Sequence, residues 1–366
     1  MEPTSPPASP VPDHASPASR RPVAGRVASR LPAGPFSAIW IATLVLFAVS
    51  PLLAPGSLGS SALLSMLPFA AILAIAAIGQ TLVVQQRGLD LSVPGSIALA
   101  GALTTKLPET MGLFPALLVI AGAAIATGLI VGLAVTRLGI TPLVATLGVN
   151  ALLLGTVIKV TGGSITSTAP KALTSFAEGR SLGIPHTALL AVLLVAVVSV
   201  LMRATVWGRR FEAVGANPRS ARAAGIAVAR YQLGAYVAAT LCYAAAGVLL
   251  AGFISAPSLF SGDTYLLPTI AAVVLGGTSL AGGRGSVVAT AMGALFLTQL
   301  EQVVLAMGAT TAVQFVIQGV IVALGMGLRN VRWAALRPRG GEARRPTAAD
   351  AVPPTTSAQV GPSSGT

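Results

Sequence analysis

ALLSMLPFAAILAIAAIGQTLVVQQRGLDLSVPGSIALAGALT, residues 62–104, is the stretch that decides the fold. Its first part, 62–84, is uncharged and apolar throughout, and a bilayer core about 30 Å thick needs roughly 17–25 such residues per helix. Its last part, 92–104, is equally apolar but at about 1.5 Å per residue is too short to cross unbroken. Between them GLDLSVPGS, residues 88–96, supplies glycine, proline and one acid. Irregular backbone at membrane depth is tolerated only where it is buried in protein or lines a cavity, so this junction is a first pointer to a functional centre.

Working outward, further apolar runs fall near 38–54, 113–136, 141–160, 187–204, 233–255, 265–280, 286–307 and 312–328. With 62–84 and 92–104 they predict an all-α polytopic membrane protein of about ten segments. The 265–280 run is the second short one, and it adjoins the glycine-rich stretch Gly276–Gly285. Paired short, interrupted segments are what internally repeated transporters place at a solute site; breaks in the packing of a glycine-rich bundle are the other reading. Residues 1–35 and 331–366, rich in Pro, Ala, Ser, Thr and Arg, cannot bury enough apolar surface to offset chain entropy and are expected to be disordered tails flanking a membrane domain at 36–330. The basic-then-apolar start of a signal peptide is absent, so the first apolar run is expected to stay in the protein.

Composition agrees. Of 366 residues 54% are hydrophobic and 9% charged, and the mean hydropathy is +0.82, whereas soluble domains carry about 25% charged residues. An ordinary soluble enzyme is excluded. The net charge of +13 does not read as a nucleic-acid surface, because long apolar runs separate the arginines. It reads as orientation: with ten spans and both termini cytoplasmic, all the basic residues except Lys106, Lys159, Lys171 and Arg180 fall on the inner side, as the positive-inside rule requires. The single cysteine, Cys242, lies in an apolar run and permits no intramolecular disulfide.

One inner loop is long, TVWGRRFEAVGANPRSARAAGIAVARYQ, residues 205–232. Asn217 is a good N-cap, Pro218 suits the first helical position, and Gly225 suits the end, so a short helix from Pro218 to about Ala224 is expected. It would carry Ala221 and Ala224 between Arg219 and Arg222. Such a small-faced basic helix fits a docking surface for a soluble partner; a helix lying on anionic headgroups is the alternative. Asp90, ahead of the 92–104 run, can serve as a helix cap or belong to a gate. Polar residues inside apolar runs are scarce. Gln80, Asn150, Glu301, Gln302 and Gln314 are candidates for lining a solute pathway, or for hydrogen bonds that hold helices together. No metal-ligand cluster and no nucleophile triad can be assembled. A nucleotide P-loop needs Gly-Lys followed by Ser or Thr, and none of the three lysines is preceded by glycine. No catalysis is expected in this chain, and any ATP and Mg²⁺ would be bound by a partner.

Three ordered motifs carry a family signal: GLDLSVPGSIALAG (88–101), GRRFEAVGANPRSARAAGI (208–226) and AAVVLGGTSLAGGRGSVVATAMGAL (271–295). Together they resemble the membrane permease of bacterial ATP-binding cassette importers of the ribose/xylose group, over about residues 60–330. The resemblance implies a permease in the bacterial inner membrane that imports a monosaccharide by alternating access. It implies a cytoplasmic ATPase subunit, an extracytoplasmic solute-binding protein and a second permease chain as partners. It also places Asn217, Pro218, Arg219, Ala221, Ala224 and Gly225 at or near the ATPase contact. The chain departs from the family at Pro94, where Gly is common, and at Gln86, Arg87 and Gly88, where Thr-Gly-Gly is common, which leaves the solute open. A nucleoside or branched-chain amino-acid importer is the nearest alternative. An ion-driven secondary transporter, with Glu301 as its mid-span acid, and a channel are the rivals from other classes.

Overall fold

The computed structural model describes residues 36–330 apart from residue 165; both expected tails lie outside the described residues. Among the described residues the regular structure is helical apart from one hairpin of two two-residue strands. In order it forms α1 (Ser37–Leu53), α2 (Ser60–Gln85), α3 (Val93–Lys106), α4 (Pro108–Met111), α5 (Leu113–Thr136), α6 (Pro142–Thr161), α7 (Lys171–Glu178), β1 (Arg180–Ser181) and β2 (Ile184–Pro185). There follow α8 (His186–Ala204), α9 (Val206–Ala216), α10 (Pro218–Ala223), α11 (Val228–Ile254), α12 (Asp263–Leu275), α13 (Val287–Ala306) and α14 (Thr311–Asn330). Every apolar run read from the sequence is a helix at nearly the expected place.

Among the described residues six helices, α2, α5, α6, α8, α11 and α13, are long and apolar enough to cross a membrane. The two short runs are short helices: α3 has 14 residues and α12 has 13, rising about 21 and 20 Å against a core of about 30 Å. Each abuts irregular backbone, 86–92 before α3 and 276–286 after α12.

The centre of the bundle is α11, which packs against α2, α3, α5 and the short helix α7. Small residues let the backbones meet, as in helix packing without a hydrophobic drive from water. A Cβ on Gly128 of α5 would fall 2.5 Å from Val237 Cα, and one on Gly247 of α11 would fall 2.4 Å from the Ile97 carbonyl oxygen. Several buried threonine hydroxyls donate to backbone carbonyls, Thr240 to Ala124 O at 2.7 Å and Thr104 to Ala100 O at 2.7 Å. Many outward positions, such as Leu118 on α5, Leu152 on α6 and Val192 on α8, are exposed and apolar, as a face turned to lipid or to another apolar chain requires.

Three features were not expected from the sequence. One is α7 with the hairpin β1–β2, where His186 bridges Ser181 Oγ at 2.9 Å and Phe176 O at 3.1 Å. Another is α9, N-capped by Thr205, whose Oγ1 accepts from Gly208 N at 3.1 Å. The third concerns Asp90, which does not cap α3. Its Oδ1 accepts from Ser92 N at 2.9 Å and Ser92 Oγ at 2.6 Å, tightening the turn before the helix. The orphan N–H of the first α3 turn is served from another helix, Gly95 N donating to Asn150 Oδ1 of α6 at 2.8 Å.

Candidate functional site: a cavity and a basic docking element

A cavity of about 700 Å³ opens among the first half of α2, the end of α11, the 255–262 loop, the first half of α12 and the second half of α13. These are the helix ends that the arginine pattern assigns to the outside. Its walls combine aromatic faces, Phe69, Phe260 and Tyr265, with hydroxyls and one acid, Ser65, Thr264, Thr298 and Glu301. Phe69 is held edge-on to Phe253 at 5.2 Å between ring centres. A few polar groups set in a mainly apolar concavity of 300–1,000 Å³ are the usual form of a small-molecule site. Such a lining suits a neutral hydroxylated solute: aromatic faces cover its apolar surface while carboxylate and hydroxyl oxygens take its O–H groups.

Of the candidate pathway residues, Glu301 and Gln302 line this cavity, and Gln302 Nε2 also donates to Ser57 O at 3.2 Å. The others do not line it. Gln80 accepts from the Tyr243 hydroxyl at 2.9 Å and ties α2 to α11. Asn150 holds the start of α3. Asp90 is buried in its turn, and Gln314 is buried on α14. Of these four, Gln80 and Asn150 make hydrogen bonds between helices, and Asp90 bonds within its own turn. The sequence reading missed Phe69, Phe260 and Tyr265. The signal for two of them was the Ser, Phe, Thr and Tyr cluster SAPSLFSGDTY, residues 255–265, which runs into the first turn of the short α12.

At the opposite end of the bundle lie α9 and α10, the second being the helix that the sequence offers as a docking element. Asn217 Oδ1 accepts from Arg219 N at 3.1 Å and Ser220 N at 3.2 Å, Pro218 opens α10, and Gly225 follows the helix with φ of +76°. The helix thus covers 218–223, with Ala224 as its C-cap. Arg219, Arg222 and Ala224 are exposed, whereas Ala221 points inward, clustering with Val214 and Val228. Ala221 therefore holds the helix down, and the outward face is made by its neighbours.

Beneath this element the second and third motifs meet residues 85–87, which lead into the first. Gly283 N donates to Gln85 O at 2.9 Å. Gln86 Nε2 donates to Phe211 O of α9, and Arg87 Nε to Gly215 O, both at 2.8 Å. Gly215 is the point where the backbones touch: a Cβ there would lie 2.0 Å from Gln85 O and 2.9 Å from Gly283 N. Among the described residues no group of His, Cys, Asp and Glu is placed to hold a metal ion.

Comparison with known proteins agrees with this architecture. Residues 62–325 match the family described as branched-chain amino acid transport system / permease component. The ribose import permease protein of Bacillus subtilis (strain 168) is 34% identical over 297 residues, 80% of this chain and 91% of that protein. The galactofuranose transporter permease protein of Escherichia coli (strain K12) is 34% identical over 269 residues, 73% of this chain and 79% of that one. An autoinducer 2 import system permease protein of Enterobacter sp. (strain 638) is 34% identical over 265 residues, 72% and 77% of the two chains. No solved structure matches the chain. With its long apolar helices, its two interrupted short ones and a match that covers most of its length, the chain belongs to this family of membrane permease components.

Proposed function

We propose that this chain is the membrane permease subunit of an ATP-binding cassette importer that carries a monosaccharide into the cell. The observation that carries the reading is the pairing of two sites at opposite ends of one bundle. One is a cavity with aromatic, hydroxyl and carboxylate lining at the outer helix ends, and the other is a projecting basic element at the inner ends. The chain has no phosphate-binding Gly-Lys loop of its own, so ATP and Mg²⁺ belong to a cytoplasmic ATPase subunit seated on α9 and α10. The similar proteins named for ribose and galactofuranose support a sugar as cargo.

In this reading ten segments cross the inner membrane, α3 and α12 in the bundle interior as incomplete spans, with both termini cytoplasmic. A solute-binding protein delivers the sugar to the outer cavity and a second copy of the chain completes the pathway. Closure of the ATPases pushes on Arg219, Arg222 and Ala224 and alternates access. Reconstitution in proteoliposomes with the ATPase and the binding protein tests it: uptake of labelled ribose or galactose should require both partners and ATP on the ATPase side. Uptake by the chain alone, driven by a proton or sodium gradient, would refute it.

A further inference from the structure

We infer that Arg87 is a positioning residue that fastens the ATPase-contact element to the interrupted helix α3, so that motion of one is delivered to the other; this rests on the importer reading above. The end of α9 leaves backbone carbonyls to be served. Helix α9 ends at Ala216, and the chain then turns through Asn217 into Pro218. The last carbonyls of a helix have no intrahelical partner, and proline brings no N–H to serve them. The guanidinium of Arg87 fills that place, Nε donating to Gly215 O at 2.8 Å and an Nη to Ala216 O. A cation is also the favoured charge at a helix C-terminus.

Arg87 adopts this position at a conformational cost. Its φ is +66°, a left-handed region that side chains with a Cβ avoid and glycine enters freely. A residue chosen only for the turn would be glycine, so the side chain is what the position uses. Its neighbours act in the same sense: Gln86 Nε2 holds Phe211 O of α9, and Gln85 O accepts from Gly283 N of the 276–286 loop. A Cβ on Gly282 would lie 2.4 Å from Arg87 Cγ, so that loop closes over the arginine stem.

From Arg87 the covalent chain runs through five further residues to α3. A Cβ on Gly262 would fall 2.1 Å from the carbonyl oxygen of Pro94 in the first turn of α3, so the start of α3 sits on the loop that supplies Phe260 and Ser261 to the cavity wall. Arg87, with Gln86 beside it, thus stands between the docking element and a rigid connection to the cavity. Without the Arg87 side chain α9 keeps the Gln86 bond but loses both bonds at its C-terminal carbonyls, so α9 and α10 can follow the ATPase while less of that motion reaches α3.

The test uses the full complex of permease, ATPase and binding protein in proteoliposomes, with Arg87→Gly, Arg87→Ala and Arg87→Lys. ATP hydrolysis and sugar uptake are measured on the same vesicles, with thermal unfolding of each permease. Arg87→Gly should assemble with the ATPase and keep its basal hydrolysis, and it should unfold no earlier than wild type because the left-handed strain is relieved. Sugar moved per ATP hydrolysed should fall about tenfold or more. Arg87→Ala should fall as far, and Arg87→Lys, with a donor for one carbonyl, should recover part of the ratio. An unchanged ratio in Arg87→Gly overturns the inference. So does a parallel loss of ATPase assembly and thermal stability, which would mark a merely structural contact. A wild-type complex with no ATP-dependent uptake would instead tell against the importer reading beneath it.

Discussion

Substituting alanine at Gly215 tests most directly the meeting of the second and third motifs with the end of α2. The added methyl would sit 2.0 Å from Gln85 O and 2.9 Å from Gly283 N, and both are backbone atoms that cannot rotate away. An ordinary carbon–oxygen contact is about 3.5 Å, so α9 and the end of α2 must part by more than 1 Å. That displacement breaks the 2.9 Å Gly283 N to Gln85 O bond and stretches the 2.8 Å Arg87 Nε to Gly215 O bond. Overpacking costs about 1–3 kcal/mol, and the two hydrogen bonds are together worth about 1–3 kcal/mol net. The helix propensity gained on replacing glycine by alanine returns about 1 kcal/mol. Gly215→Ala should therefore be destabilised by about 1–5 kcal/mol. Gly148→Ala in α6 is the control: nothing lies within 4 Å of the new methyl, so only the propensity gain remains. Thermal unfolding of the purified variants in detergent, with sugar uptake alongside, compares them. Gly215→Ala unfolding at or above the temperature of Gly148→Ala would refute the close approach.

Three further outcomes are expected. Ala224→Glu, on the exposed end of the docking element, should leave folding intact and abolish co-purification of the ATPase, whereas Ala221→Glu buries an unpaired charge beside Val214 and Val228. The latter should cost several kcal/mol and reduce the amount of folded protein in the membrane. Glu301→Gln should slow uptake several-fold, because a carboxylate with only acceptor oxygens becomes an amide, while ATPase assembly measured by co-purification is unchanged. Asn150→Ala should destabilise by about 1 kcal/mol by leaving Gly95 N without its acceptor. Asn150→Asp, which keeps that oxygen, should unfold closer to wild type than Asn150→Ala in the same melt.

Some residues spoke clearly in the sequence and others could not. Asn217, Pro218 and Gly225 announced α10 because capping is a local matter of neighbouring backbone groups and side chains. The shortness of α3 and α12 was equally legible, since glycine and proline interrupt an apolar run at the chain level. Asp90 misled because an acid ahead of a helix looks alike whether it caps the helix or tightens the preceding turn, and the true partner of Gly95 is Asn150, fifty-five residues away. Gln80 and Glu301 have the same signature, a polar residue in an apolar run, yet one is spent on Tyr243 and the other faces the cavity.

The sequence by itself determined the class of the protein, through its apolar runs of bilayer length. These follow from the cost of placing charge and unpaired backbone in hydrocarbon, which acts residue by residue along the chain. Only the tertiary structure decided which polar groups meet each other and which meet the cavity, that Ala221 faces inward while Ala224 faces out, and that Arg87 reaches the end of α9. Those outcomes depend on which faces of distant helices are pressed together, and in a bundle whose helices are apolar on nearly every side no single helix carries that information.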